Sequence, residues 1–96
     1  MNQTNNYIEL YVISSDGDLP VSTCDSVDFT VADNKKGKGG GRYTVKKGHV
    51  KSLMMLSAGE LVARIGTQVV FSKNISSGIA QIKGSKVVVT AEFEIE

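Results

Sequence analysis

The strictest constraint in this sequence is the alternation that runs from Lys86 to Ile95. Val87, Val89, Ala91, Phe93 and Ile95 fall on one side, and Lys86, Val88, Thr90, Glu92 and Glu94 fall on the other. A period of two belongs to a half-buried β-strand and to no helix. Directly upstream, Ser76-Ser77-Gly78-Ile79-Ala80-Gln81-Ile82-Lys83-Gly84-Ser85 reads as a short strand and a tight turn feeding that last strand.

The same reading extends along the chain. Tyr7 to Ile13 predicts a first strand with Ile8, Leu10 and Val12 on one side, followed by a turn at Asp16-Gly17-Asp18, where glycine tolerates positive φ and aspartate bonds to nearby backbone. Asp25 to Val31 alternates again, Val27, Phe29 and Val31 opposite Asp28 and Thr30. Asn34 to Gly41 breaks all pattern with glycines and lysines and predicts an exposed mobile loop. Tyr43 to Val45 predicts a short strand ended by Lys47-Gly48-His49. Val50 to Leu56 is apolar and fits strand or helix by length alone; Ser57-Ala58-Gly59 is a turn. Glu60 to Ile65 and Gln68 to Ser72 predict a hairpin around Gly66-Thr67, with Ile75 to Ile82 and the final strand after it. Short strands with turn signals about every 8 to 12 residues indicate an all-β sandwich or barrel. No stretch combines an amphipathic helical pattern with caps.

A chain of 96 residues, 41% of them hydrophobic, makes one small domain with core enough to fold. No apolar run approaches the roughly 20 residues of a helical membrane span. The polar, uncharged opening Met1-Asn2-Gln3-Thr4-Asn5-Asn6 has neither the apolar core of a secretory signal nor the arginines of a transit peptide. Cys24 is the only cysteine, so no internal disulfide forms, and a reducing compartment is expected. The net charge of +1 hides an asymmetry. Residues 1 to 33 hold six acids (Glu9, Asp16, Asp18, Asp25, Asp28, Asp33) and no base, while residues 34 to 59 hold seven bases (Lys35, Lys36, Lys38, Arg42, Lys46, Lys47, Lys51) and no acid. Such blocks govern solubility and encounter with charged partners rather than fold.

Motifs for catalysis do not assemble. Gly37-Lys38-Gly39-Gly40-Gly41-Arg42 has the look of a phosphate loop, but a dinucleotide fingerprint needs glycine where Arg42 stands and a helix after it, and Tyr43-Thr44-Val45 is strand-like. A Walker loop needs Gly-Lys-Ser/Thr, which is absent. The same basic loop beside Tyr43 suits a single-strand nucleic-acid barrel, in which bases stack on aromatics over a basic groove, yet the three tyrosines and three phenylalanines are spread along the chain. Cys24 as a nucleophile would need His49, the only histidine, as its base; a small residue in or beside a strand is the ordinary reading. His49 has no acidic or cysteine neighbour in sequence for metal or acid–base chemistry and reads as a structural turn residue. Leu53-Met54-Met55-Leu56 in a strand puts two side chains on each face, so one pair faces outward, as at a protein interface.

Four segments resemble one family in register and in order. Gly41-Arg42-Tyr43-Thr44-Val45-Lys46-Lys47-Gly48-His49 is similar to the Gly-acid-Leu-Gly-Ile-Leu-Pro-Gly-His segment of the epsilon subunit of F-type ATP synthases, in its N-terminal domain. Val50 to Gly59 follows without a gap over the stretch from Ala-Pro-Leu-Leu to Lys-Pro-Gly. Ser76-Ser77-Gly78-Ile79-Ala80-Gln81-Ile82 resembles Ser-Gly-Gly-Phe-hydrophobic-Glu-Val, and Lys86-Val87-Val88-Val89-Thr90-Ala91-Glu92 resembles Lys-Val-Thr-Val-Leu-Ala-Asp. Tyr7 to Val31 fits the opening strands, with Ser14-Ser15-Asp16-Gly17 for a Ser-Pro-Glu-Gly turn. The departures are Lys47, Lys51 and Ser57-Ala58 at places where the family has proline, and a basic stretch from Lys35 to Arg42 in place of an acidic-glycine loop, which implies a different partner surface. Each lost proline loosens a turn without forbidding it.

The resemblance implies an all-β single domain over residues 1 to 96, a sandwich or flattened barrel of roughly ten strands. It implies a non-catalytic central-stalk subunit without cofactor or metal, docking on the gamma subunit and on the polar loops of the membrane c-ring to couple ion flow to ATP synthesis. Lys35, Lys36, Lys38, Arg42, Lys46, Lys47 and His49 are expected at the ring, and Val50, Leu53, Met54, Met55 and Leu56 at gamma. Family members commonly continue into two C-terminal helices that restrain ATP hydrolysis; this sequence stops at Glu96, so either that module is lacking or the sequence is a piece of a longer chain, and the resemblance implies a rotor role without helix-mediated restraint. The expected location is peripheral, on the cytoplasmic face of a bacterial membrane. The rival expectation is a free-standing β-barrel that binds single-stranded nucleic acid.

Overall fold

A computed structural model describes residues 7–32 and 41–93. Lys35, Lys36 and Lys38, with most of the expected loop, lie outside them, as do Glu94 and Ile95. Among the described residues every regular element is a strand: β1 Ile8–Ser14, β2 Gly17–Asp18, β3 Ser22–Cys24, β4 Ser26–Thr30, β5 Arg42–Lys46, β6 Ser52–Leu56, β7 Gly59–Ile65, β8 Gln68–Lys83 and β9 Lys86–Phe93. They form one mixed sheet in the order β2-β1-β9-β8-β7-β4-β5, with β3 added to β1 and β6 added to β8. The sheet is not closed into a barrel, since β2 and β5 stand at opposite ends of that path.

All pairings are antiparallel except that of β1 with β9, which run side by side in parallel from Glu9↔Lys86 to Ile13↔Thr90. Two tight hairpins match the turn chemistry. Gly66 (φ 60) joins β7 to β8 and Gly84 (φ 65) joins β8 to β9, each at the first position of a two-residue connection, where a left-handed backbone favours glycine.

Two expectations are corrected and one strand is added. The first turn falls on Ser15-Asp16, and Gly17–Asp18 already form the returning strand β2. Ser22–Cys24 is a strand of its own, paired with β1. The separate segments Gln68–Ser72 and Ile75–Ile82 are one continuous 16-residue strand. Its first half pairs with β7 and its second half lies between β6 and β9. Val50 to Leu56, open between strand and helix, is strand from Ser52, where it pairs with β8; a helix this short would be marginal on its own.

β8 manages both halves through a bulge. Ile75 faces Phe93 and Ser77 faces Glu92, so Ser76 is the extra residue. Before it Ile75 points to the core; after it the inward set is Ala80 and Ile82. One inserted residue therefore switches the buried positions from odd to even numbers. The core is a single cluster filled from both halves of the sheet: Leu10, Val12, Val87 and Val89 from one, Val27, Phe29, Val45 and Leu61 from the other, all at most 2% exposed. Gly78 faces Ala91 so closely that a Cβ added to it would stand 2.8 Å from the Thr90 carbonyl oxygen.

Candidate protein interface

His49 closes the connection from β5 to β6. Phe29, buried in the core, stacks on Tyr43 (centroids 6.1 Å apart, planes at 24°), and Tyr43 meets the His49 ring edge-on at 5.6 Å. The Tyr43 hydroxyl lies 2.6 Å from His49 Nε2, and His49 Nδ1 lies 2.7 Å from the Val50 carbonyl oxygen. A carbonyl only accepts, so Nδ1 carries the proton and Nε2 accepts from the Tyr43 hydroxyl. The His49 amide also donates to the Lys46 carbonyl at 3.2 Å. The histidine is thus the turn residue expected from the sequence.

The basic residues differ in what they can offer. Arg42 is a clamp: its Nη1 donates to Thr30 Oγ1 at 3.1 Å and to the Glu60 carbonyl at 2.5 Å, tying β5 to β4 and β7. Lys46, Lys47 and Lys51 are exposed where the chain leaves β5 and passes to β6. Asp28 is engaged by Arg64 in an ion pair and accepts from Thr44 Oγ1 at 2.9 Å, so β4, β5 and β7 are also tied on their polar side.

Within β6 the apolar residues divide as alternation requires, and Val50, which precedes the strand, is exposed as well. Val50 (73% exposed), Leu53 (68%) and Met55 (55%) point outward, whereas Met54 packs against the core and Leu56 is part of it at 4%. Met54 and Leu56 hold β6 in place; the side chains a partner can reach are Val50, Leu53 and Met55.

Register shows what these residues belong to. Leu53 faces Gln81, Gln81 faces Val88, and Val88 faces Tyr11 across four adjacent strands. Met55 faces Ile79, Ile79 faces Thr90, and Thr90 faces Ile13 in the next row. Paired residues on one face are neighbours, so these two rows make a largely apolar band across β6, β8, β9 and β1. On one flank Lys83 faces Lys86 and Lys86 faces Glu9. On the other, Ser77 faces Glu92, whose carboxylate accepts from Ser15 Oγ at 3.2 Å. Two open grooves cut the band, one of about 570 Å³ beside Lys51, Leu53 and Lys83, the other of about 280 Å³ beside Met55, Ile79 and Glu92. Tyr11, Ile13, Ile79 and Val88 were not singled out from the sequence; only the pairing of strands distant in the chain brings them beside Leu53 and Met55.

Cys24 is fully buried, and its Sγ lies 3.8 Å from the Ile8 carbonyl oxygen. Burial, with Asp25 adding to it, pushes its thiol up to about 11, so it stays protonated at neutral pH and is no nucleophile.

No protein-family model matches the sequence, and no curated protein matches it. Solved structures do match in fold. A chain of the Tetrahymena thermophila mitochondrial ATP synthase central stalk and c-ring superposes with a TM-score of 0.62 at 12% identity, over 88% of this chain and 63% of that one. A chain of the Euglena gracilis mitochondrial ATP synthase, in its OSCP/F1/c-ring assembly in rotational state 1, superposes with a TM-score of 0.67 at 19% identity, over 94% of this chain and 53% of that one. The chain spans about half to two thirds of the length of these neighbours. The fold is one that occurs in the rotor region of ATP synthases.

Proposed function

We propose that this chain is a non-catalytic central-stalk component of a rotary ATP synthase, epsilon-like, seated between the gamma subunit and the polar loops of the c-ring. The observation that carries the reading is the apolar band through Leu53 and Met55 on a fold shared with chains of stalk and ring assemblies. The Val50–Met55 segment serves gamma, and the basic end with Lys46, Lys47 and His49 serves the ring, joined there by Lys35, Lys36 and Lys38. The domain is peripheral to the membrane, held there by the complex. Its task is mechanical: packed sheets deform little and pass torque between stalk and ring. In a rival nucleic-acid barrel Tyr43 would be the stacking platform beside the basic segment, but Phe29 and His49 already engage its ring.

The test is co-purification of tagged chain with the gamma subunit from its own host. Retention of gamma, lost when Leu53→Ser and Met55→Ser are combined, supports the reading. A chain that leaves gamma behind overturns it. Lys46→Glu with Lys47→Glu should weaken ring association most at low ionic strength, because exposed charges are screened by salt.

A further inference from the structure

The apolar band across β6, β8, β9 and β1 has a polarity along the strands. At one end stand Lys51, Lys83 and Lys86, with Glu9 facing Lys86 at the β1 edge, and at the other stands Glu92. Lys51 and Lys83 have no ion-pair partner among the described residues, and neither has Glu92, whose carboxylate meets only the Ser15 hydroxyl. Leu53, Met55 and Ile79 lie exposed between the two ends. We infer that this face seats one amphipathic helix of a partner protein, laid with its acidic end over the three lysines and its basic end at Glu92.

Dimensions select a helix. Four strands spaced ~4.8 Å apart give a band about 14 Å wide, and the six steps along β9 from Lys86 to Glu92 give a length of roughly 20 Å. One helix is about 10–12 Å across and rises 1.5 Å per residue, so about 13 residues cover the distance. A second sheet would overhang a band this narrow. A second copy of this chain, docked face to face about a two-fold axis, would set three lysines and Glu9 against the single Glu92 at each end and still leave positive charge uncompensated. A helix with carboxylates at one end and a lysine or arginine at the other compensates both ends. The inference deepens the stalk reading and rests on it for the source of the helix, which would be a segment of gamma.

The test uses three 14-residue helical peptides as probes. They share one leucine stripe and carry acidic and basic residues at opposite ends, acidic residues at both ends, or basic residues at both ends. Binding to this chain is followed by fluorescence anisotropy at low salt. The mixed peptide should bind at least tenfold more tightly than either other, and Leu53→Ser with Met55→Ser should cost it at least tenfold. A spin label on its basic end should broaden the amide signals of Thr90 and Glu92, and one on its acidic end those of Gln81 to Lys83. Lys51→Glu, Lys83→Glu and Glu92→Lys together should exchange these two patterns. Equal binding of all three peptides, binding that survives the serine changes, or a dimer of this chain that those changes dissolve overturns the inference. The two readings fail separately. Ordered peptide binding without gamma retention sinks the stalk assignment alone; gamma retained equally by the double-serine variant sinks the helix seat alone.

Discussion

Tyr43 and His49 share a hydrogen bond, hydroxyl to Nε2, across the turn that carries the chain from β5 into β6. It sets the tautomer of the ring. It also couples the basic end of the molecule to the core, because the same tyrosine stacks on buried Phe29. Tyr43→Phe removes the hydroxyl and keeps both ring contacts, so it should lower stability by about 0.5–1.5 kcal/mol, the net worth of one hydrogen bond. Denaturant unfolding measures that loss. The ¹⁵N shifts of the imidazole check the cause: Nδ1 should carry the proton in the Nδ1–H tautomer, and a ring found as the Nε2–H tautomer would refute the assignment.

Gly78 makes a different kind of prediction. Its neighbour across the ladder is fixed backbone, the Thr90 carbonyl, with Ala91 Cβ 3.1 Å from where a new methyl group would sit. Neither can rotate away, so Gly78→Ala forces β8 and β9 apart and should cost about 1–3 kcal/mol, the usual range for overpacking. Gly17 has open space around it, and an alanine there meets strain from its positive φ (120) but no clash. Thermal melts of the two variants side by side distinguish a steric loss from a conformational one.

What the sequence disclosed, and where it stopped, follows from the range over which each signal acts. Strand type and inward residues in β1, β4 and β9 are local, and alternation revealed them: Ile8, Leu10, Val12, Val27, Phe29, Val87 and Val89 are all buried. β8 defeated the same reading because polar Lys73-Asn74 interrupt its apolar pattern and split one strand into two segments, while irregularities at Val70 and Ser76 shift the phase within each. β2 and β3 are two and three residues long, too short for any period to register. At the candidate interface, the division of Leu53-Met54-Met55-Leu56 into two outward and two inward side chains was legible. The band was not, since Leu53 and Tyr11 become row-mates through three strand pairings, one of them the parallel contact of β1 with β9.

Within β6 alternate residues should behave oppositely. Leu53→Ser and Met55→Ser remove exposed apolar groups and should each change folding stability by less than about 0.5 kcal/mol. Leu56→Ala empties part of the core and should cost about 2–5 kcal/mol. Met54→Asp brings a carboxylate against the same core, so its main effect should also be on folding. Circular dichroism with urea titration, run together with the gamma pull-down, separates the two classes. An outward variant that unfolds the chain would mean that β6 is wrongly oriented.

Cys24 gives the chain a pH-dependent element of stability whose sign follows from its raised pKa. Its thiol ordinarily ionises near 9.0 and in the folded chain is pushed up to about 11, chiefly by burial. Between those values the unfolded state has released the proton and the folded state still holds it. The unfolded state then binds fewer protons, so the free energy of unfolding falls as pH rises. The contribution is fully present below the unfolded value and is lost as pH climbs through the folded one. A tenfold difference in proton affinity between the two states is worth about 1.4 kcal/mol, and a single titrating group can change stability by no more than that per pH unit. Cys24→Ala leaves a small void at every pH but removes the titrating group. The stability gap between wild type and this variant should therefore be constant below about pH 8 and shrink by roughly 1–2 kcal/mol on going to pH 10.5. Urea unfolding of both proteins across that range measures the gap. Two parallel stability curves would mean that the thiol titrates alike in the folded and unfolded chains, and that its burial carries no proton linkage.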